Sequence, residues 1–122
     1  MRTLLAAGAL AFTCASHAAA APDHYALRSA ADLARVCGTP SSASDYATAI
    51  AFCHGFLAGS YAYHLTVTPV ADRFICEPTP ATTRAKVADG FVAWMKSRPQ
   101  LDKDSAVDAL FRFAAETYPC KR

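Results

Sequence analysis

Apolar residues recur at helical spacing in four separate stretches of the 122-residue chain. Positions three and four apart lie on the same side of a helix, so each stretch presents one apolar face. The pattern predicts a short first helix at residues 29–37, a second from about 45 to 64, a third from about 79 to 97 and a fourth from about 104 to 118. The sequence therefore predicts an all-α fold, a small bundle of about four helices.

Polar residues at the boundaries predict where three of these helices begin. Ser29 and Asp32 have the spacing of a capping box, with Asp in place of the usual Glu. Thr79 followed by Pro80 has the pattern of an N-cap and a first helical residue. Asp104 is the predicted N-cap of the fourth helix.

The second predicted helix is apolar on both sides, which is typical of a helix at the centre of a bundle. Its Gly55 and Gly59 are four residues apart and leave a flat strip where another backbone can approach. We predict that this strip packs inside the bundle, and contact with a second copy in a homodimer is the alternative.

The N-terminal residues have the layout of a secretory signal peptide. Met1–Arg2 is a positive start, 3–13 is apolar, and small residues that suit cleavage after Ala18 or Ala20 follow. The apolar run is shorter than the roughly 20 residues that a membrane span requires, and Phe12 makes lipidation of Cys14 unfavourable. We therefore predict a signal peptide at 1–20, a single domain at 21–122, and a periplasmic protein without a membrane span.

Four of the five cysteines remain after such cleavage, and an even number in a short exported chain predicts two disulfides. The short turn between the third and fourth helices makes them antiparallel, which places Cys76 near Cys120. Cys37 and Cys53 are then left for each other. The rival pairing joins Cys37 to Cys76 and Cys53 to Cys120.

Composition and motifs exclude several function classes. The chain is 53% hydrophobic and 18% charged with a net charge of +2, unlike a disordered or a nucleic-acid-binding protein. No C-x-x-C pair or other metal or cofactor motif occurs. His54 follows Cys53 directly and lies about 100° around the helix from it, so the two cannot form a nucleophile–base pair. We predict a protein that is not an enzyme and holds no cofactor.

Several local patterns in a fixed order resemble the Rap/Tai immunity-protein family. They are Cys37, the C-x-x-F-L-x-G segment at 53–59, F-I-C-E-P at 74–78, the helix end and proline at 94–99, and the terminal segment at 106–120 that closes with Y-P-C. The resemblance covers about residues 33–120. The chain departs from it at 83–86, where the family has a Gln, and at Arg98, where the family has a His.

The resemblance implies a small, exported, helical and disulfide-bonded protein. Its partner would be a peptidoglycan amidase effector delivered by type VI secretion, a cysteine peptidase that the immunity protein blocks by occluding the active-site cleft. Two other classes remain open. They are a periplasmic acid-stress chaperone of the HdeA type and an accessory envelope protein without inhibitory function.

Two irregular segments are the predicted partner-binding regions, since inhibition by occlusion requires a protruding loop. The first carries small hydroxyl side chains that could enter a narrow cleft, and the second carries polar residues beside the apolar anchors Val67, Val70 and Phe74. The candidate contact residues are Ser41, Ser42 and Ser44 in the first segment and Thr66, Thr68, Asp72 and Arg73 in the second.

Overall fold

Four α-helices form the part of the chain that the structure describes, which confirms the all-α prediction. The computed structural model describes residues 25–121. Within them lie α1 (Ala30–Cys37), α2 (Tyr46–Val67), α3 (Arg84–Lys96) and α4 (Ala106–Thr117), with 3₁₀ turns at Val70–Asp72 and Pro99–Leu101. The described part of the chain contains no strand, only an isolated antiparallel bridge between Ile75 and Pro119. The signal peptide predicted at 1–20 lies outside the described residues.

The predicted capping box begins α1. The Ser29 hydroxyl accepts a hydrogen bond of 3.2 Å from the Asp32 N–H, and the Asp32 carboxylate accepts one of 3.2 Å from the Ser29 N–H. Burial of the Asp32 carboxyl favours its protonated form, but hydrogen bonds from Ser29 and Arg28 outweigh burial and hold its pKa below the usual value. The Asp side chain thus completes a motif that usually contains Glu.

Two predicted helix starts are wrong. The third helix begins at Arg84, where the Thr83 hydroxyl accepts a 3.2 Å hydrogen bond from the Lys86 N–H. Thr79 lies in the connection before it, five residues ahead of the first helical residue. The N-cap of α4 is Ser105 rather than Asp104. The Asp104 carboxylate instead lies 3.5 Å from the Arg112 guanidinium.

The shortest helix, α1, is the centre of the core. It contacts α2, α3 and α4, and its Leu33 and Val36 are completely buried. The first N–H groups of a helix lack partners within the helix. In α1 two of them, those of Ala30 and Ala31, donate to the carbonyls of Asp104 and Asp102 at 2.8 and 3.1 Å. This helix is therefore fixed by the turn before α4 as well as by apolar packing.

The second helix is not buried on both sides, and the predicted internal packing of its glycine strip is wrong. Its buried residues are Ala49, Cys53, Leu57 and His64. Gly55 and Gly59 are exposed, and a Cβ built on either would meet no atom within 4 Å. Because α1 and α3 pack against one side of α2 only, its other apolar side faces outward.

Both disulfides have the predicted pairing. Cys37–Cys53 joins the end of α1 to the middle of α2, and Cys76–Cys120 joins the connection before α3 to the segment after α4. Beside the second disulfide, the Cys76 N–H donates to the Tyr118 carbonyl at 2.9 Å. The rival pairing is wrong.

The Cys76–Cys120 disulfide closes a sequence separation of 44 residues, so its removal should release substantial entropy in the unfolded chain. We expect the Cys76→Ala/Cys120→Ala double variant to lose about 2–4 kcal/mol of unfolding free energy. Urea unfolding under non-reducing conditions measures the difference. An unchanged midpoint would contradict a stabilising role for this disulfide.

Candidate functional site

The two predicted partner-binding segments lie at opposite ends of α2. The first, predicted at 39–44, lies in the 38–45 segment before the helix, and the second, predicted at 65–74, spans the last turn of α2 and the residues after it. A helix of 22 residues is about 33 Å long. One molecule therefore does not bring both segments to a single cleft.

The first segment is a short turn with exposed hydroxyl groups. Ser41, Ser42 and Ser44 are exposed, as an interaction surface requires. The segment is held at its end by Tyr25, whose hydroxyl donates to the Asp45 carboxylate at 3.2 Å. Burial and the Asp45 charge raise the pKa of Tyr25 above its usual value, so the phenol remains protonated and keeps donating at neutral pH.

The second segment carries a cluster of exposed apolar side chains. Residues 63–74, termed the tip, comprise the last turn of α2, the 3₁₀ turn and the following residues. Tyr63 is 64% exposed and Val70 76%, and Val67 and Phe74 are also exposed. Exposed apolar side chains grouped in this way are typical of protein–protein interfaces. The structure thus confirms that the three predicted anchors are exposed, and it adds Tyr63.

Arg73 holds the tip together. Its guanidinium donates to the carbonyls of Leu65 at 2.9 Å and Thr68 at 3.4 Å. The last carbonyls of a helix lack partners within the helix and carry its negative dipole end, where a cation is stabilising. Arg73, predicted as a partner contact, is therefore engaged within the protein and positions the tip.

Two of the other polar candidates are also engaged internally. The Thr68 hydroxyl lies 3.1 Å from Nδ1 of the buried His64, and the Thr66 hydroxyl donates to the Ala62 carbonyl at 2.9 Å. Asp72 is exposed at the end of the 3₁₀ turn. Of the four polar candidates, the Asp72 carboxylate is thus the side chain best placed to meet a partner.

The buried His64 ring packs against the tip, a contact that is not among those predicted from the sequence. Its ring lies 4.7 Å from the Phe74 ring and 5.9 Å from the Phe111 ring, centroid to centroid. Among the described residues, its Nε2 is buried without a hydrogen-bond partner. The spacing of His64 and Thr68, four residues apart at a helix end, is the signal that could have indicated this contact.

The described residues offer no machinery for catalysis by a thiol or a metal. Cys37, Cys53, Cys76 and Cys120 are all oxidised. No group of three or more His, Cys, Asp or Glu residues within 25–121 is placed to hold a metal ion. In the same part of the chain, no helix combines the length and apolarity needed to cross a membrane.

The family model of the Rap1a immunity proteins matches residues 29–120. The match spans all four helices and both disulfides. The chain belongs to this family. Membership supports an immunity protein for a secreted effector, with a non-enzymatic inhibitory role. No match was found among curated proteins or among solved structures.

Replacing Arg73 by Gln should loosen the tip, since the carbonyls of Leu65 and Thr68 lose a charged donor. Hydrogen bonds to charged groups contribute about 1.5–3 kcal/mol. We expect the unfolding free energy to fall by about 1–2 kcal/mol and amide exchange to accelerate at 65–73. Arg112→Gln is the control, because Arg112 makes exposed ion pairs only. Equal exchange rates at 65–73 in both variants would exclude the role assigned to Arg73.

Proposed function

We propose that the protein is a periplasmic immunity protein that binds and occludes a peptidoglycan amidase effector delivered by type VI secretion. Membership in the Rap1a family is the observation that carries this proposal. Two disulfides fit the oxidising compartment in which such an effector would act. A signal peptide at 1–20 would bring the protein there.

The tip is the proposed inhibitory element. Val70 projects from a 3₁₀ turn that Arg73 secures, so an apolar anchor is already ordered before the partner arrives. A pre-ordered anchor avoids part of the entropy loss on binding. Occlusion of a Cys–His cleft by the tip would block access of the peptidoglycan substrate, and no chemistry by the inhibitor is needed.

The polar surroundings of the tip fit an interface rim. The exposed Asp72 carboxylate lies on the same turn as Val70, and Thr66 is exposed on the last turn of α2. Interfaces combine buried apolar anchors with a polar rim that remains hydrated. The tip therefore supplies both parts of a compact contact surface.

The outward side of α2 supports a homodimer as the assembled form. Phe52 is exposed, with its ring 5.2 Å from that of Tyr25, and lies on the same side as Gly55 and Gly59. A Cβ built on either glycine meets no atom of the described residues within 4 Å, which leaves room for a second backbone. A two-fold axis across α2 would bring the same surface of both copies together. An antiparallel arrangement would also place the tip of one copy beside the 38–45 segment of the other. Both predicted segments would then meet at one cleft.

Val70→Asp tests the tip. The variant places a charge on the most exposed apolar anchor and should weaken inhibition of a cognate amidase by about 30-fold or more, as loss of a binding hot spot does. The assay measures cleavage of purified peptidoglycan by a type VI amidase effector from the same organism. Val107→Asp, an exposed valine on α4, is the matched control and should inhibit like the wild type.

Two results would count against this proposal. Failure of the wild-type protein to inhibit the amidase would exclude that enzyme as the partner. Equal inhibition by Val70→Asp and Val107→Asp would exclude the tip as the inhibitory element.

Gly59→Leu tests the homodimer. A Cβ at Gly59 meets no atom within 4 Å in the protomer, so the variant should fold with undiminished stability. In a dimer packed through this strip, the larger side chain would separate the two backbones. We expect sedimentation analysis to show a wild-type dimer and a Gly59→Leu monomer, with Ala85→Leu on exposed α3 surface remaining dimeric. A monomeric wild type, or a dimeric Gly59→Leu, would contradict packing through α2.

A further inference from the structure

A groove of about 430 Å³ opens between the C-terminal half of α2, the connection before α3, and α4. Its floor consists of the buried side chains of Leu57, Ile75, Leu110 and Ala114. Small-molecule sites usually occupy about 300–1,000 Å³ and are lined mostly by apolar and aromatic groups. The groove has both properties, and neither predicted partner-binding segment explains it.

We infer that this groove binds the acyl chain of a fatty acid, with the carboxylate at Arg84. The walls are largely apolar and include Tyr61, Phe111 and Tyr118. A bound peptide strand would bring an N–H and a C=O with each residue, and these groups are costly to bury without hydrogen bonds. An acyl chain brings no such groups, so an apolar groove suits it better.

The rim of the groove favours a negatively charged head group. Arg84 lines the groove and lies in the first turn of α3, which contains no acidic residue. The positive end of the helix dipole adds to the guanidinium charge there. Within residues 25–121 the structure records no ion pair for Arg84, so its guanidinium is available to pair with a carboxylate.

Glu77 lies on the same rim and opposes an anionic ligand. Both rim charges are exposed, so water weakens the Glu77 repulsion and the Arg84 attraction alike, while the dipole of α3 adds to the attraction alone. The two opposite charges on the rim allow the charge of the head group to be tested. Neutralising Arg84 should weaken binding of an anion, and neutralising Glu77 should strengthen it.

The first experiment compares three ligands with the same chain length and different head groups. Dodecanoate, dodecanol and dodecyltrimethylammonium are titrated separately into the protein with its disulfides intact. Methyl NMR shifts of Leu57, Leu110 and Ala114 report occupancy of the groove. We expect dodecanoate to bind at one site and most tightly, and dodecyltrimethylammonium to bind most weakly. Absence of saturable shifts with dodecanoate would overturn the inference.

Two pairs of variants test where the acyl chain binds and which residue contacts the head group. Ala58→Trp should fill the groove and weaken dodecanoate binding by about tenfold or more. Ala51→Trp, at an exposed alanine about two turns away on the same side of α2, should leave dodecanoate binding unchanged.

The second pair tests the contact with the head group. Arg84→Gln should weaken dodecanoate binding by about threefold or more and leave dodecanol binding unchanged. Lys86→Gln, which does not line the groove, should alter neither.

The location would be wrong if Ala58→Trp and Ala51→Trp bound dodecanoate equally. The head-group assignment would be wrong if Arg84→Gln weakened dodecanoate and dodecanol to the same extent. If dodecanoate does not bind but Ala58→Trp abolishes amidase inhibition, the groove belongs to the effector interface and the fatty-acid inference fails. These outcomes leave the immunity proposal intact, since that proposal depends on membership in the Rap1a family.

Discussion

The burial of α1 determines how the other helices are arranged. An isolated helix of eight residues is not stable in water, so α1 depends on the three helices around it and on its disulfide to α2. The buried faces of α2, α3 and α4 in turn pack against α1. Gly55 and Gly59 lie on the opposite side of α2, where a built Cβ meets no atom of the described residues within 4 Å. The exposed apolar side of α2 follows from this arrangement.

The sequence was most informative where one residue type has one dominant use. Ser29 and Asp32 formed the predicted capping box, and the four cysteines paired as the helix order indicated. It was least informative for α2. Periodicity identifies a helix that is apolar all round, but it cannot tell which side the rest of the chain will cover. Gly55 and Gly59 were therefore assigned to the interior although they lie outside.

The exposure of the candidate site could be predicted from the sequence, but the contacts of its polar residues could not. Val67, Val70 and Phe74 are exposed, as binding to a partner requires. Arg73 and Thr68 are predicted to contact a partner, but their side chains are engaged within the protein. They hydrogen-bond groups at the end of α2, which extends to Val67 rather than ending near residue 64. The order of the second segment thus depends on hydrogen bonds formed only after folding. Such contacts between residues several positions apart leave little trace in sequence patterns.

Different parts of this domain stabilise the fold and present the exposed apolar side chains. The α1 core and the Cys37–Cys53 disulfide hold the middle of α2, the Cys76–Cys120 disulfide holds the chain just after the tip, and the tip presents its apolar side chains between these two points. For immunity, such a surface must bind the secreted effector before the effector binds its substrate. The fold therefore needs neither a metal nor a reactive thiol to carry out the proposed role.

Protection of a susceptible bacterium tests the immunity function. A type VI peptidoglycan amidase that the protein inhibits in vitro is produced in the periplasm of that bacterium, together with either the full chain or a chain that lacks residues 1–20. We expect survival with the full chain and lysis with the truncated one, which would remain in the cytoplasm. Lysis of cells in which the exported, disulfide-bonded protein accumulates would contradict an immunity role against this amidase.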